Sequence, residues 1–345
     1  MLNSYRDKRY PIEGLIEFYR PLFVFLALIS IISGFVHFYR TVNEVGWVNI
    51  ASIEFDEKYS SGLLSHVMIL SRLAFIFLFA DLLFSKKKYI PVLLLLMFLI
   101  VFVRQVKYHI FGLVIGGLYL SIFHKLLRVP IKKLLLGVLV AFFLFIATYY
   151  VGLLVVGGDY AFGKEPQRWV FNLFFTYLFG GPIGFSEILN DPMYPVYSLK
   201  EIIGAPVNIY RFLIGEENLI DIIVHHWIPV SNNYKMFHST NVYGMVGMLY
   251  MYLGPYLTIG YMFLSGSICY LFLGLALKLK SVIGIQLVFS FIMAFLTLSF
   301  FDLFFNKLVL YEASLYMLLF TTIYSVGRRV VRFAVVQHCI GFSKY

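Results

Sequence analysis

The sequence predicts an all-α integral membrane protein, a polytopic helical bundle with about eight transmembrane helices. Of its 345 residues, 61% are hydrophobic and only 13% are charged, which is too little polar material to cover a globule of this size. The apolar residues also form separate runs, several of them near the roughly 20 residues that cross about 30 Å of hydrocarbon. Composition and run length together predict that residues 1–345 form a single membrane domain.

Six of the expected spans are evident as apolar runs. They are Leu22–Tyr39, Leu63–Phe84, Leu134–Val155, Thr258–Leu277, Val282–Phe301 and Val309–Val326. A further run, Ile90–Phe123, would be about 51 Å long as one helix, which exceeds the hydrocarbon thickness. Because the charges of "RQVKYH" cannot face lipid, we expect a break there and a hairpin of two short helices, Ile90–Val103 and Tyr108–Phe123.

The basic residues predict the orientation of these spans. With a cytoplasmic N-terminus, seventeen of the 28 basic residues fall in cytoplasmic segments, as the positive-inside rule requires, and the C-terminus is cytoplasmic too. They are Arg6, Lys8, Arg9, Arg20, Lys86, Lys87, Lys88, Lys125, Arg128, Lys132, Lys133, Lys278, Lys280, Arg328, Arg329, Arg332 and Lys344. Since these cations flank apolar runs, the formal charge of +10 indicates a membrane protein, and we expect no nucleic acid partner.

The longest segment on the outer face runs over residues 156–244. We predict a large periplasmic loop containing interfacial helices, and we expect function to lie there, because long ordered loops on a rigid scaffold usually bind or catalyse. Its apolar stretch at 170–189, "VFNLFFTYLFGGPIGFSEIL", would place the basic C-terminal tail outside if it crossed the bilayer. We therefore predict an interfacial or re-entrant helix interrupted at Gly180-Gly181-Pro182.

Three motifs now resemble a known family. They are Arg104 in "FVRQVKYH", the run Tyr177-Leu178-Phe179-Gly180-Gly181, and Ser239-Thr240-Asn241-Val242-Tyr243 followed by "YLG" at 252–254. With the multi-span architecture, they resemble the Wzy-type oligosaccharide repeat unit polymerases of O-antigen and capsule synthesis. The resemblance implies a glycosyltransferase in the bacterial inner membrane. It implies that a growing glycan is transferred from undecaprenyl diphosphate to a lipid-linked repeat unit on the periplasmic face.

Such a reaction breaks a bond between an anomeric carbon and phosphate, so it needs cations for the diphosphate and a base for the acceptor hydroxyl. Arg104 and Lys107 are the first candidates for the diphosphate. The arm Ile90–Val103 is only about 21 Å long, which leaves its tip in a depression at headgroup depth. Arg168 and Arg211 follow in the outer loop, where either could clamp a second phosphate or a sugar carboxylate. Snorkelling and solvation are the ordinary alternatives for such cations.

His238 is the histidine that we predict to be the base, or to orient the acceptor. The stretch "FHSTNVY" groups it with Asn241 and Tyr243 where the chain re-enters the membrane, and an imidazole titrates in the range that this task requires. The predicted catalytic set is therefore His238, Arg104 and Arg211. The predicted substrate-binding set is Lys107, Arg168, Tyr177, Asn241 and Tyr243.

Charged residues inside the predicted spans need partners or a wet cavity. Asp81 lies beside Lys86–Lys88 and is expected to be structural. Arg72 lies nearer mid-depth, and Glu312 near the outer end is either its partner or a site residue. No metal-ligand spacing is present, so we predict no metal and no cofactor.

The expected partners are an undecaprenyl-diphosphate-linked oligosaccharide, the lipid bilayer and a chain-length regulator protein. Two other functions stay open. An O-antigen ligase, or another lipid-linked glycan transferase, shares the large outer loop but uses a different acceptor. A flippase or transporter of lipid-linked oligosaccharide generally has pseudo-repeats and short loops, which this sequence lacks.

Overall fold

The computed structural model of the protein describes most of the chain. The described residues are 12–50, 52–85, 87–103, 107–126, 163–216, 228–229, 239–240, 243–279, 282–300 and 302–342, with single residues or pairs between 139 and 153. Within these ranges the chain is helical apart from two short paired strands and the connecting loops. The prediction of an all-α membrane protein is confirmed at this level.

The helices follow one another in chain order with short connections. They are α1 (Ile12–Val45), α2 (Ile53–Tyr59), α3 (Gly62–Met68), α4 (Leu70–Ser85), α5 (Tyr89–Phe102), α6 (Lys107–Phe123), α7 (Lys164–Asn190), α8 (Leu199–Ile202), α9 (Gly204–Leu213), α10 (Gly244–Lys278), α11 (Ile283–Leu298) and α12 (Leu308–Phe342). The strands are β1 (Ile228–Pro229) and β2 (Ser239–Thr240), which pair antiparallel.

Apolar helices coincide with the predicted spans wherever the structure describes them. Among the described residues, four segments are long and apolar enough to cross a membrane, namely Gly14–Val45, Gly62–Ser85, Gly244–Lys278 and Leu308–Arg328. Three shorter apolar helices accompany them, and two of these, α5 and α6, form the predicted hairpin with its break after Val103. Most of the predicted span Leu134–Val155 lies outside the described residues. The protein is therefore a multi-pass membrane protein.

Helix α4 lies at the centre of the bundle. It packs against α1, α5 and α6 and also contacts α12. Two glycines allow α6 to approach it closely, because a Cβ added at Gly116 would lie 2.9 Å from Ile76 Cδ1 and one at Gly117 would lie 2.8 Å from Phe79 Cδ1. Small residues serve this purpose in membrane bundles, where close backbone approach supplies the dispersion contacts that hold helices together.

An ion pair joins α1 to α4 inside this apolar core. The guanidinium of Arg20 donates through Nε to Asp81 Oδ2 at 2.7 Å and through Nη2 to Asp81 Oδ1 at 3.0 Å. The Asp81 side chain is 0% exposed. A carboxylate buried in this way is tolerable only with such a partner, since an uncompensated charge in a low-dielectric core costs several kcal/mol. Asp81 is structural, as its sequence context predicts.

Helix α7 differs from the prediction. The expected interruption at Gly180-Gly181-Pro182 is wrong, because α7 is continuous over Lys164–Asn190 with Pro182 inside it. Proline removes one backbone hydrogen bond, but close packing on the same turn offsets the loss. A Cβ added at Gly181 would lie 3.2 Å from the Phe300 carbonyl oxygen and 3.8 Å from the Gly244 amide nitrogen. The glycine therefore lets α7 pack directly on the start of α10.

A kink divides α10 at Gly254-Pro255. Gly254 has φ 71° and ψ 178°, a conformation almost exclusive to glycine. Proline lacks the N–H that would bond to Met251, and the loop after α7 replaces it: the Val196 N–H donates to the Met251 carbonyl at 2.8 Å. The Ser198 N–H likewise donates to the Tyr252 carbonyl at 2.7 Å. The broken helix and the loop therefore stabilise each other, as non-helical backbone at membrane depth requires.

Removing one partner of the Arg20–Asp81 pair should destabilise the protein strongly. For Asp81→Ala we expect a loss of about 3–5 kcal/mol in the free energy of unfolding, because the Arg20 charge would remain buried without compensation. Thermal unfolding of the purified protein in detergent measures the loss. The double variant Arg20→Met/Asp81→Leu should recover most of it, and a double variant no more stable than Asp81→Ala would contradict this account.

Candidate functional site

A cavity of about 290 Å³ opens at the end of the bundle where α5 and α6 meet. We call it the hairpin pocket. Its lining comes from the α2–α4 region, from both arms of the α5–α6 hairpin and from the start of α12. The lining residues are Tyr59, Ser60, Ser65, His66, Met68, Ile69, Ser71, Arg72, Val101, Tyr108, His109, Lys307, Leu308, Val309 and Glu312.

The local chain geometry explains why polar side chains converge here. Helices α3 and α4 follow each other directly at Ile69, and His66 and Arg72, which lie on either side of it, both line the pocket. The start of α6 brings His109 to the same place, next to Arg72. The start of α12 closes the third side with Glu312. Several helices therefore build the site together, with Arg72 near the start of α4, His109 near the start of α6 and Glu312 near the start of α12.

Arg72 and His109 form the floor of the hairpin pocket. The guanidinium donates from Nη2 to His109 Nδ1 at 3.0 Å, and the two residues are only 6% and 3% exposed. A guanidinium can only donate, so Nδ1 must carry the lone pair and His109 is neutral with its proton on Nε2. The floor therefore contains the positive charge of Arg72, held in place by its hydrogen bond to the neutral imidazole of His109.

His66 and Glu312 form one wall of the pocket. His66 Nδ1 lies 2.8 Å from Glu312 Oε1, and Tyr316 donates its hydroxyl to the same oxygen at 2.9 Å. The His66 side chain is 49% exposed, whereas that of Glu312 is 12% exposed. A carboxylate can only accept, so Nδ1 carries a proton, and Nε2 of a neutral His66 holds the free lone pair.

Lys307 supplies a second cation to the lining. Its ammonium lies 3.1 Å from Asp302 Oδ2, and both side chains are largely buried. The adjoining Asn306 anchors the outer helices to this region: its Nδ2 donates to the Glu201 carbonyl at 2.7 Å, and its Oδ1 accepts from the Ala205 N–H at 3.3 Å. Lys307 therefore sits on a segment held in place from two sides.

This set of groups suits an anionic ligand and a proton transfer. Arg72 favours negative charge, and Lys307 does so in part because Asp302 already pairs with its ammonium. A half-exposed imidazole oriented by a carboxylate has the arrangement of a general base. The volume is at the lower end for small-molecule sites, so the pocket fits a compact group such as a diphosphate or one sugar ring. In the described part of the chain, no group of three or more side chains has the arrangement of a metal site.

The described residues include only part of the predicted site. Arg104, His238 and Asn241 lie outside them. For Lys107 and Tyr177 the structure describes the backbone: Lys107 begins α6 beside the hairpin pocket, and Tyr177 lies in the middle of α7. Arg104 falls in sequence between Val101 and Tyr108, two residues that line the pocket.

The remaining predicted residues lie elsewhere. Arg168 is exposed on α7, and Arg211 on α9 contacts Glu216 at 3.4 Å. Tyr243 is 3% exposed and packs in a second apolar cluster with Ile188 and Tyr252. Burial raises the pKa of the Tyr243 hydroxyl, which keeps it neutral. None of these three residues lines the hairpin pocket.

Two of the predicted motifs nevertheless meet in space. Gly181 of the "YLFGG" run packs against Tyr243 and Gly244, and both short strands contact α7. Tyr177 and Tyr243 therefore lie on elements that pack together, away from the hairpin pocket.

Sequence reasoning missed His66, His109 and Lys307. His109 belongs to the "RQVKYH" stretch that predicted the break, so its position at the hairpin was a usable signal. Arg72 and Glu312 were recognised as buried charges, and both line the pocket. His66 had no signal in the sequence, because its partner Glu312 is 246 residues away.

The chain matches one protein family. No curated protein and no solved structure matches the chain. The match to one family covers nearly the whole of it, from the N-terminal segment through most of α12. Over residues 6–330, the chain belongs to DUF6337, a family of unknown function.

Proposed function

We propose that this protein is a metal-independent glycosyltransferase of the Wzy type, a polymerase of lipid-linked oligosaccharide repeat units. It would join undecaprenyl-diphosphate-linked units into O-antigen, capsular or exopolysaccharide chains on the periplasmic face of the bacterial inner membrane. The observation that carries the proposal is the hairpin pocket, in which two cations and an oriented histidine surround a cavity at the end of a membrane bundle. A glycan linked to polyprenyl diphosphate would suit such a pocket, because its diphosphate is negatively charged and its glycan can be transferred to an acceptor hydroxyl.

The proposed topology has eight spans with both termini in the cytoplasm. The hairpin pocket is at the Arg72 end of α4, and Lys86–Lys88 follow its other end, about 24 Å away. On α12, Glu312 lies at the pocket end and Arg328 lies some four turns further on. Because basic clusters favour the cytoplasm, the pocket faces the periplasm in this arrangement.

The segment at 156–244 forms the large periplasmic loop in this proposal. Its described part contains α7, α8 and α9, which pack on α10 and on the segment before α12. The exposed large apolar side chains of α7 suit the membrane interface, among them Phe171, Phe175 and Phe179. Arg168, Arg211, His238 and Asn241 remain the residues of this loop that we propose to contact the glycan.

A ligase and a flippase are the competing functions. A ligase would use the same pocket for the same diphosphate but would transfer the finished glycan to another lipid. A flippase would have to alternate between an inward-facing and an outward-facing state. In this structure, backbone hydrogen bonds hold the broken helix α10 to the loop after α7. No described feature favours either over the polymerase.

Deletion of the gene in its host tests the function directly. We expect surface polysaccharide with single repeat units, because export and anchoring would continue without chain extension. Gel electrophoresis of the surface material measures the chain length, and a plasmid copy of the gene should restore the long chains. Loss of glycan from its lipid anchor would indicate a ligase, and complete loss of surface material a flippase.

Reporter fusions test the topology. A fusion after Lys88 or Lys280 should be cytoplasmic, and one near Asp191 or Gly215 should be periplasmic, because these positions alternate about the proposed spans. Paired alkaline phosphatase and green fluorescent protein fusions measure this. Periplasmic activity from the Lys280 fusion would overturn the orientation of the bundle.

Arg104→Ala should abolish chain extension while the protein remains inserted and abundant. Arg104→Lys should recover only part of the activity, because the bidentate fork that matches phosphate oxygens is lost. Complementation of the deletion strain measures both, with immunoblots of the membrane fraction. Lys164→Ala is the matched control, since Lys164 is an exposed cation at the start of α7. Full activity of Arg104→Ala would show that Arg104 only reaches the interface.

A further inference from the structure

The His66–Glu312 pair is the best-defined proton acceptor in the described part of the chain. Its two members come from α3 and α12, so tertiary packing alone brings them together. The pair lies on the wall of the hairpin pocket and shares it with Arg72 and Lys307. Two features then bear on its chemistry: the orientation of the ring and the access of its second ring nitrogen.

The orientation is fixed by Glu312. Its Oε1 lies 2.8 Å from His66 Nδ1 and accepts a second hydrogen bond from Tyr316, which holds the carboxylate in place. With Nδ1–H engaged, the neutral imidazole presents Nε2 as its only acceptor. An adjacent carboxylate also stabilises the imidazolium that forms after proton transfer. Glu312 is thus a positioning residue, and Tyr316 supports it.

The access of His66 separates it from the other histidine of the pocket. His109 is 3% exposed and already accepts from Arg72 through Nδ1, so it is committed to the floor. The side chain of His66 is 49% exposed, so a substrate hydroxyl can reach it and a proton can leave to water. Geometry therefore favours His66 over His109 as the base.

We infer that His66 is the general base of the proposed polymerase, and that Glu312 orients it. The inference rests on the proposed function. His66 Nε2 takes the proton from the acceptor hydroxyl, and the acceptor oxygen forms a bond to the anomeric carbon of the donor. The bond between that carbon and the phosphate oxygen breaks, and undecaprenyl diphosphate leaves with the electron pair. The proton then passes from His66 to water.

The base is therefore His66 and not His238, the residue that the sequence predicts. His238 stays a proposed contact to the acceptor glycan, whereas the proton transfer belongs to a residue outside the large loop. The pocket that holds the charges of the leaving group then also holds the base. The cations that stabilise the leaving group and the base that accepts the proton therefore lie in the same pocket of one helical bundle.

The test uses complementation of the deletion strain with full-length variants. His66→Asn keeps a donor where Nδ1 stands, so the bond to Glu312 survives while the basic nitrogen is lost. We expect no polymer longer than one repeat unit, with normal protein in the membrane fraction, because a general base contributes about 10²- to 10⁴-fold in rate. Glu312→Gln, which still accepts a hydrogen bond, should retain longer chains than Glu312→Ala.

Chemical rescue separates a catalytic role from a structural one. Imidazole in the medium should restore longer chains to the His66→Ala strain, because the free base can occupy the space left in the pocket. His124→Ala is the matched control: His124 follows α6 at its other end, about 23 Å from His109, and imidazole should change nothing there.

Each possible result bears on one proposal. Wild-type chain length in a His66→Asn strain would overturn the assignment of the base and leave the polymerase standing. Unchanged chain length in the deletion strain itself would overturn the polymerase. A loss in His66→Ala that imidazole does not relieve, together with equal activity of both Glu312 variants, would make the pair structural.

Discussion

The cost of placing charges inside an apolar bundle governs how this protein is built. Helix α4 is mostly buried, yet it carries Arg72 and Asp81 about 14 Å apart. Each is accommodated in a different way. Asp81 is closed off by the two-point contact with Arg20, whereas Arg72 reaches a cavity and a neutral imidazole. One charge therefore ties helices together, and the other contributes to a site.

The same constraint explains the position of the hairpin pocket. Polar side chains can gather in a membrane bundle only where helices end, because there the backbone and the headgroup region leave room for water and ligands. The junction of α3 with α4, the start of α6 and the start of α12 all line the pocket. Each contributes at least one polar side chain, so the site exists only in the assembled bundle.

A second region shows how the outer part of the chain is held. The glycine at 181 allows α7 to contact the start of α10, and the loop after α7 supplies the hydrogen bonds that the kink at Gly254-Pro255 leaves open. Asn306 then fixes α8 and α9 to the segment that carries Lys307. The outer helices are therefore linked to the pocket through Asn306 and through the packing of α9 on α12, which gives the proposed loop a physical link to the chemistry.

The sequence by itself determined the class of the protein, the positions of its apolar helices and the hairpin break, because hydrophobic run length and intramembrane charge are local properties. It also identified Arg72, Asp81 and Glu312 as charges that need partners. Only the tertiary structure decided what those partners are. Arg20 lies 61 residues from Asp81, and His66 lies 246 residues from Glu312. It also decided that α7 continues through Pro182, since the compensating contacts come from Phe300 and Gly244. Pairings between distant helix ends depend on how the helices pack, and no local pattern encodes them.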